Sequence, residues 1–406
     1  MKIVFLSNFY PRTRRDLYLK RSKFGLASAA DAHQYALALG LSTVCSNFSI
    51  INSPAIFPFP FRYKDITIPS EIIKESGLTI NNVGFSTLFE YQFYSRYRNV
   101  YKSLRREIMS AKDVTYIIVY ATNVSLLKAA VRIKSEFNNV KLNLIVPDLP
   151  EDMERSGILW NLQNYFRSCF FKTPKSYYKH FDSFVLLTEF MVEKIGCKSW
   201  QFVVNEGIYE EQVTKRKLHT EDLNCFTIFY GGTLHERFGV LNLVNAVHSL
   251  NKTNIKLQLC GYGDSVERIK DLSKIDKRIQ YLGVVDRNDV LDYQSKASLL
   301  VNPRIPDGNP FTRYSFPSKT LEYLASGTPT LLYQLDGIPT EYYQYCYTLD
   351  KNHTSQSALV SKIEQIMSIP VKERLEMASA ARKFVLEEKN QIKAANQILN
   401  LLYNTI

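Results

Sequence analysis

The chain has 406 residues, 45% of them hydrophobic and 22% charged, and a formal net charge of +12. These values are typical of a soluble globular protein of more than one domain, and they exclude a small disulfide-stapled module and a disordered chain. No apolar run approaches the roughly 18 residues that cross a bilayer, and no secretory signal pattern opens the sequence, so we expect a cytoplasmic protein. Six cysteines are scattered singly, which predicts reduced thiols.

The positive charge is concentrated in the first half of the chain. Residues 1–203 hold 27 Lys and Arg against 16 Asp and Glu, whereas the remainder holds 24 against 23. Such a field favours an acidic partner, such as anionic lipid, a phosphorylated substrate or nucleic acid. A solvated basic surface explains the same charge.

Short apolar runs alternate with stretches of helical periodicity, which is the pattern of parallel α/β units. The candidate strands of the first half are Lys2–Ser7, Val114–Tyr120, Leu142–Val146, Phe184–Thr188 and Phe202–Val204. Those of the second half are Thr227–Tyr230, Lys256–Cys260, Ile279–Leu282, Ser298–Val301 and Thr330–Tyr333. The charged segment Asn205–Asn224 between the two series predicts an interdomain connection. We therefore predict an α/β fold of two doubly wound, Rossmann-like domains that face a cleft.

Two segments of the first half carry local signals. The segment Tyr10–Phe24 is predicted as a loop that contains Arg12, Arg14 and Arg15 among six basic residues and a single acid, and the alternative to a binding role is an exposed flexible loop. Residues 158–170 have helical apolar spacing before a run of lysines and aromatics, which suits either a helix in a lipid interface or one that packs on its own sheet.

The densest signal is the segment Tyr314–Pro329 in the second half. Ser318 suits a helix N-cap, and Gly327 followed by Pro329 suits a helix end, so a helix of about nine residues is predicted. Lys319 near the start of this helix suits a phosphate, and Glu322 one turn later could accept hydrogen bonds from a ribose diol. A capped surface helix with Glu322 paired to Lys319 fits the same pattern.

The order of several motifs resembles the second domain of family 4 retaining glycosyltransferases, which have the GT-B fold. The matching pieces are Tyr230–Gly239 (YGGTLHERFG), Leu259–Asp264 (LCGYGD), Tyr281–Val285 (YLGVV) and the Pro317-Ser318-Lys319 helix. The resemblance covers residues 225–335 and is looser in the first half. It implies an N-terminal domain over 1–204 that holds the acceptor, a donor domain over 205–383, and a final helix within 384–406 that returns to the first domain; the periodicity predicts one helix over Phe384–Tyr403.

The resemblance implies that positive charge holds the donor diphosphate. In the family a Gly-Arg pair and a basic residue five positions later do this, but here Gly232 stands in place of that arginine and Arg237 holds the second position. We expect Lys319 or Arg304 to supply the other cation. Arg237 would then neutralise the leaving group, where negative charge develops as the bond to the sugar breaks.

Other donor contacts follow from the same comparison. Glu322 matches the family glutamate that binds the ribose, whereas Tyr314 replaces the earlier glutamate that contacts the transferred sugar. Ser318, Gly261 and Val285 complete the predicted donor site. No ligand cluster implies a metal, and no cofactor is expected beyond the nucleotide-sugar substrate.

On the acceptor side, the resemblance implies a glycan or a polyprenyl-linked acceptor. Arg12, Arg14 and Arg15 would meet its phosphates or an anionic membrane surface, so attachment to the inner membrane face stays open. Asp148, at a strand end, lies roughly where many relatives place a catalytic histidine, and an aspartate there also suits the cap of the next helix.

The predicted activity is metal-independent, retaining transfer of a sugar from a nucleotide diphosphate sugar to a hydroxyl. The chief alternative is a catalytically silent homologue that binds nucleotide or a partner protein. An epimerase or a phosphorylase shares the fold, and a nucleic-acid-binding role is disfavoured because no recognition motif is present.

Overall fold

The structure is a computed structural model that describes residues 1–26, 29–111, 113–120, 122–149, 168, 170–209, 219–220, 222–306 and 311–404. The chain divides into two compact units. One comprises Met1–Glu210 with Gln391–Ile406, and the other comprises Glu211–Asn390. Each unit contains a mainly parallel sheet flanked by helices, so the predicted α/β class is confirmed.

The described residues form two series of strands, ten in the first unit and six in the second. They are β1 (Lys2–Ser7), β2 (Phe48–Asn52), β3 (Thr67–Ile68), β4 (Glu71–Glu75), β5 (Leu78–Asn82), β6 (Phe85–Ser86), β7 (Thr115–Tyr120), β8 (Val140–Val146), β9 (Ser183–Leu186), β10 (Phe202–Val204), β11 (Phe226–Gly231), β12 (Ile255–Cys260), β13 (Ile279–Tyr281), β14 (Leu299–Asn302), β15 (Thr330–Tyr333) and β16 (Tyr347–Leu349).

Helices connect these strands and cover the sheets. They are α1 (Arg12–Arg21), α2 (Ala29–Val44), α3 (Tyr91–Met109), α4 (Val124–Glu136), α5 (Lys175–Tyr178), α6 (Val192–Ile195), α7 (Val240–Ser249), α8 (Val266–Ile275), α9 (Arg287–Lys296), α10 (Phe311–Tyr314), α11 (Lys319–Ala325), α12 (Gln356–Ser368), α13 (Val371–Glu388) and α14 (Gln391–Asn404). Short 3-10 turns lie at Glu189–Met191, Ser199–Gln201, Glu236–Phe238 and Thr340–Tyr345.

The first unit has an eight-stranded sheet in the order β10-β9-β8-β7-β1-β2-β5-β4. All neighbours are parallel except the β4–β5 hairpin, and β1 lies between β2 and β7. From β1 the chain moves toward β2 on one side, and from β7 it moves toward β8 on the other. The topological switch point is therefore between β1 and β7, where open α/β sheets bind ligands.

The second unit has a six-stranded parallel sheet in the order β13-β12-β11-β14-β15-β16. Its core contains Ile228, Leu257 and Val301 from the strands, and Val244 and Ile363 from α7 and α12. The switch point lies between β11 and β14, so the loops that follow these two strands meet at one edge of the sheet.

The predicted loop Tyr10–Phe24 is instead largely the helix α1. The Glu75 carboxylate on the β4–β5 hairpin accepts hydrogen bonds from the backbone N–H groups of Arg12 at 2.8 Å and Thr13 at 2.9 Å. These groups lack partners within any helix, so a carboxylate at this end stabilises the first turn. The cap comes from a residue more than sixty positions away, which explains why local sequence predicted a loop.

The predicted single helix over Phe384–Tyr403 is two helices, α13 and α14, with a break at Lys389 and Asn390. The Asn390 side chain donates to the Leu386 carbonyl at 2.8 Å, and thereby satisfies a backbone group at the end of α13. Helix α14 belongs to the first unit, where the Tyr116 hydroxyl donates to the Leu402 carbonyl at 3.0 Å.

Some predicted features fall outside the described residues. They include most of the helix predicted at 158–170 and residues 210–218 of the predicted connection. The five described cysteines, Cys45, Cys197, Cys225, Cys260 and Cys346, are free thiols. No helix among the described residues combines the length and apolar character that a membrane span requires.

Candidate functional site

The loops after β11 and β14 carry most of the residues that the sequence singles out. Backbone hydrogen bonds join the loop after β11 to the loop after β12: Gly232 N–H donates to the Cys260 carbonyl at 2.8 Å, and Leu234 N–H donates to the Tyr262 carbonyl at 2.7 Å. Gly261 is required in this arrangement, because a Cβ atom there would lie 1.7 Å from the Gly232 carbonyl oxygen. The two loops therefore form one ordered edge.

Lys319, the first residue of α11, lies directly over Gly232. A Cβ atom at position 232 would be 2.2 Å from the Lys319 Cε atom and 2.5 Å from its Nζ atom. Gly232 also has a φ of +154°, which side-chain-bearing residues rarely adopt. The glycine thus leaves room for the lysine, and the ammonium group occupies the space where a side chain at 232 would begin.

The Lys319 side chain is partly buried. Burial lowers the pKa of Lys319, while the nearby Glu322 carboxylate opposes this shift. Burial also raises the pKa of Cys260 to about 11, so this thiol is neutral at pH 7 and supplies no counter-charge. A partly buried cation at the carboxyl edge of a sheet is suited to an anionic ligand, since Coulomb attraction strengthens as the local dielectric falls.

Glu322 lies one turn into α11 and is held by two side chains of α9. Its Oε1 atom accepts a hydrogen bond from Gln294 Nε2 at 2.6 Å, and its Oε2 atom lies 3.1 Å from Arg287. A carboxylate offers about four acceptor positions, so these contacts orient Glu322 and leave it able to accept from a ligand. Sequence reasoning missed Gln294 and Arg287, because neither lies close to Glu322 along the chain.

Tyr323 fixes α11 to the end of β11. Its ring is completely buried, and its hydroxyl accepts a hydrogen bond from Gly231 N–H at 3.3 Å. Burial raises the pKa of Tyr323 well above its usual value, so the hydroxyl stays protonated. Because Lys319 and Glu322 lie on the same helix, Tyr323 helps to fix their positions relative to the end of β11.

Arg237 lies in the exposed 3-10 turn of the loop after β11. The Asp264 carboxylate clips this loop to the next, since its Oδ1 atom accepts from Glu236 N–H at 2.9 Å and its Oδ2 atom lies 3.0 Å from His235 Nδ1. The hydrogen bond from Glu236 N–H is the main cause that lowers the pKa of Asp264. Asp264 therefore helps to fix the backbone position of the turn that contains Arg237.

The remaining predicted donor residues, Arg304, Tyr314 and Val285, belong to the same unit. Arg304 is buried after β14; burial raises the pKa of the Tyr230 hydroxyl, and the charge of Arg304 offsets part of that rise. Tyr314 is buried at the end of α10, and Val285 packs partly buried beside the cluster of Phe229, Cys260 and Tyr323.

Ser318 occupies the N-cap position of α11 but makes no capping hydrogen bond through its side chain. Its backbone already has helical φ and ψ values of −53° and −24°, whereas a capping serine needs an extended backbone to reach back to the first turn. The structure therefore confirms the N-cap position of Ser318 but not a capping hydrogen bond from its side chain. The helix α11 has seven residues, against about nine predicted.

Asp148, Arg12, Arg14 and Arg15 belong to the first unit. Asp148 follows β8, and its charge helps to raise the pKa of the buried Tyr120 hydroxyl. Arg12 lies 2.6 Å from the Asp31 carboxylate, Arg15 lies 3.7 Å from the same group, and Arg14 lies 2.7 Å from Glu71. These three arginines are thus each paired with a carboxylate of their own unit.

A histidine that sequence reasoning missed lies at the switch point of the first unit. His33 on α2 contacts the Tyr120 hydroxyl through Nδ1 at 2.8 Å and the Asn205 Oδ1 atom through Nε2 at 3.2 Å. Asn205 in turn donates to Gln397 on α14 at 3.2 Å. Because the Asn205 amide nitrogen faces Gln397, the Asn205 Oδ1 atom faces the imidazole ring. The His33 Nε2 atom therefore carries the proton, and its Nδ1 atom accepts from the Tyr120 hydroxyl. No local motif marks His33, since its partners Tyr120 and Asn205 come from two distant segments.

In the part of the chain that the structure describes, no group of three or more His, Cys, Asp and Glu side chains is arranged to hold a metal ion.

The second unit is similar in sequence to a known protein family. Residues 211–384 match the family model "Glycosyl transferases group 1". No curated protein sequence matches the chain significantly. The matched segment includes the Gly232, Arg237, Lys319 and Glu322 positions.

Solved structures match the whole chain. The lipopolysaccharide outer core galactosyltransferase WaaB aligns with a TM-score of 0.64 at 12% identity, covering 100% of both chains. Sucrose-phosphate synthase from Thermosynechococcus elongatus aligns with a TM-score of 0.62 at 13% identity, covering 99% of this chain and 98% of that one. The starch synthase IV catalytic domain from Arabidopsis thaliana, bound to ADP and acarbose, has a TM-score of 0.62 at 9% identity, with coverage of 100% and 99%. These likenesses show that the fold is GT-B.

Proposed function

We propose that the protein is a retaining glycosyltransferase that moves a sugar from a nucleotide diphosphate sugar to a hydroxyl of a glycan or lipid-linked acceptor. The observation that carries the proposal is the position of Lys319. Its partly buried side chain places the ammonium over Gly232, where the resembled family carries an arginine, within the segment that matches a glycosyltransferase family model. A cation is therefore kept at the edge of the sheet although the arginine is absent.

In this proposal Lys319 and Arg237 meet the donor diphosphate, and Arg304 contributes further positive charge. Negative charge develops on the diphosphate as the bond from the sugar C1 to the phosphate oxygen breaks, so cations that are already in place stabilise the transition state. The Lys319 ammonium is held by burial before the ligand arrives, which reduces the reorganisation that the reaction needs. Because these cations supply the charge, the proposal does not require a metal.

Glu322 accepts hydrogen bonds from the ribose hydroxyls, with Gln294 and Arg287 keeping its carboxylate in place. Tyr314 offers a hydroxyl for the transferred sugar, while Gly261, Ser318 and Val285 shape the surroundings of the nucleotide. Asp148 in the first unit contacts the acceptor or the reacting sugar. The acceptor oxygen forms a bond to C1 on the face that the diphosphate leaves, and its proton passes to a diphosphate oxygen.

A first experiment measures binding of UDP, GDP, ADP, CMP and dTDP and of their sugars by thermal shift. A ligand at 100 times its dissociation constant stabilises the folded state by about 2.7 kcal/mol, which ranks the candidates. The selected nucleotide sugar is then incubated with the protein and acceptor glycans, and the anomeric configuration of the product is determined by NMR.

The variants Lys319→Met and Arg237→Met test the assigned cations, with Lys274→Met as the control because Lys274 pairs with Asp271 on the exposed surface of α8. We expect Arg237→Met to lower kcat more than it raises KM, and Lys319→Met to affect both. Binding without consumption of any donor would favour the silent homologue. A product of inverted configuration, or equal rates in all three variants, would overturn the proposal.

A further inference from the structure

Three segments of the first unit form a surface that we name the aromatic–basic platform: residues 20–24, 57–66 and 86–89. Lys23 N–H donates to the Arg62 carbonyl at 3.0 Å, and Lys64 N–H donates to the Arg21 carbonyl at 3.1 Å. Phe59 N–H donates to the Thr87 carbonyl at 2.8 Å. Backbone hydrogen bonds therefore join the three segments of the platform to one another.

The platform exposes large apolar side chains to solvent. Phe24 is 71% exposed, Phe61 45% and Leu88 43%. The Arg62 guanidinium lies between two of the rings, 5.3 Å from the centre of Phe24 and 5.1 Å from that of Phe57. Contiguous exposed apolar groups of this size mark an interaction surface, since leaving them in water is unfavourable.

The same surface carries positive charge that the protein itself does not neutralise. Among the described residues, Lys20, Lys23, Arg62 and Lys64 form no ion pair, whereas Arg21 lies 3.5 Å from Asp65. The nearby Arg12, Arg14 and Arg15 differ, because each is paired with Asp31 or Glu71. The cations available to a partner are thus those of the platform rather than the arginines at the start of α1.

We infer that the platform docks the protein on an anionic phospholipid bilayer. Phenylalanine and leucine side chains partition into the boundary between headgroups and acyl chains, while lysine and arginine reach the lipid phosphates from the same surface. A single-stranded nucleic acid fits less well, because Arg62 packs against the Phe24 and Phe57 rings that bases would need for stacking. The inference goes beyond the proposed sugar transfer and does not depend on it.

The test is co-flotation of the full-length protein with vesicles of phosphatidylcholine alone or with 30% phosphatidylglycerol. We expect binding to the anionic vesicles only, and release when the salt concentration is raised from 50 to 500 mM. Each cation near such a surface contributes roughly a fivefold factor in partitioning, so Lys23→Ala/Arg62→Ala/Lys64→Ala should weaken binding roughly 100-fold. The apolar variant Phe24→Ser/Phe61→Ser keeps every cation and should still weaken binding at 50 mM salt.

Matched controls come from exposed sites on α8 of the second unit. Lys270→Ala/Lys274→Ala removes two cations that pair with Glu267 and Asp271, and Ile275→Ser changes an apolar side chain that is 76% exposed. Both controls should float like the unmodified protein, and circular dichroism melts verify that every variant is folded. No flotation of the unmodified protein, equal binding to neutral vesicles, or unchanged binding in folded platform variants would overturn the inference. Tighter binding to polyuridylate than to anionic vesicles would do so too.

Discussion

The ammonium group of Lys319 occupies the space that any side chain at position 232 would need. The two residues lie 87 positions apart in the sequence, yet a Cβ atom at Gly232 would lie 2.5 Å from Lys319 Nζ. The glycine at position 232 and the lysine at position 319 are therefore coupled, because the glycine leaves the space that the Lys319 ammonium occupies. An arginine at 232 and the observed Lys319 conformation exclude each other.

Gly232→Ala should therefore displace Lys319 and act like its removal. Loss of the charged hydrogen bond from the Lys319 ammonium to the donor diphosphate costs about 1.5–3 kcal/mol, which is about 10- to 150-fold in kcat/KM. Since both changes remove the same interaction, Gly232→Ala/Lys319→Ala should be no slower than Lys319→Ala alone. The measurement is a double-mutant cycle on kcat/KM for the nucleotide sugar, and multiplicative losses would show that the two residues act independently.

The substitution of an arginine gives a second, opposite prediction. Gly232→Arg alone should slow the reaction because two cations compete for one space, whereas Gly232→Arg/Lys319→Ala should recover part of the rate lost in Lys319→Ala. The comparison uses the same assay, with melting curves to verify folding. No recovery in a folded double variant would argue against a shared position.

Glu322→Gln should raise KM for the donor with a smaller effect on kcat. A ribose hydroxyl left with a poorer acceptor costs about 1–3 kcal/mol, which is about 5- to 150-fold in affinity. Gln294→Leu removes the group that donates to Glu322 at 2.6 Å but leaves the carboxylate, so its effect should be smaller in the same direction. Steady-state kinetics separate the two parameters, and a fall in kcat at constant KM would place Glu322 in another role.

Much of the fold could be predicted because parallel strands buried on both faces are short, continuous apolar runs. The strands β1, β10 and β15 have the predicted bounds. The strands β2, β4 and β5 were missed, since polar or charged residues interrupt their apolar runs: Ser49 and Asn52 in β2, Glu71, Lys74 and Glu75 in β4, and the two final asparagines of β5. Helix α1 was missed because its cap, Glu75, comes from another element.

In the candidate site, too, residues in local motifs could be predicted, whereas residues brought close by the fold could not. Gly232, Lys319 and Glu322 lie in recognisable motifs, so the sequence alone singled them out. The groups that hold them in place, Gln294 and Tyr323, act through contacts that only the fold creates. His33 is the clearest case, since its partners Tyr120 and Asn205 lie 87 and 172 positions further along the chain.

His33 should make the stability of the first unit depend on pH. Burial lowers the pKa of His33 despite the hydrogen bond to Asn205 and the charge of Glu206, so the unfolded chain binds this proton more readily than the folded one. The stabilisation is therefore complete above the ordinary histidine pKa near 6.5 and is lost as the pH falls below it, by at most about 1.4 kcal/mol per pH unit.

The check is urea unfolding between pH 5 and 8. His33→Gln should lower stability at pH 8 and flatten the slope below pH 6.5, whereas His353→Gln, at an exposed position of the second unit, should leave the profile unchanged. A wild-type profile that stays flat from pH 8 to 5, or a slope that survives in His33→Gln, would contradict this account.

Tyr323→Phe should destabilise the second unit and loosen the contact between α11 and the end of β11. The substitution leaves Gly231 N–H buried without its 3.3 Å partner, at a cost of about 1–3 kcal/mol. Tyr262→Phe is the control, because the Tyr262 side chain is exposed and its backbone carbonyl keeps the bond from Leu234. Thermal unfolding measures the first effect and donor KM the second. Because α11 carries Tyr323 together with Lys319 and Glu322, KM should rise with the loss of stability; a destabilised variant with unchanged KM would show that α11 keeps its position without the tyrosine hydroxyl.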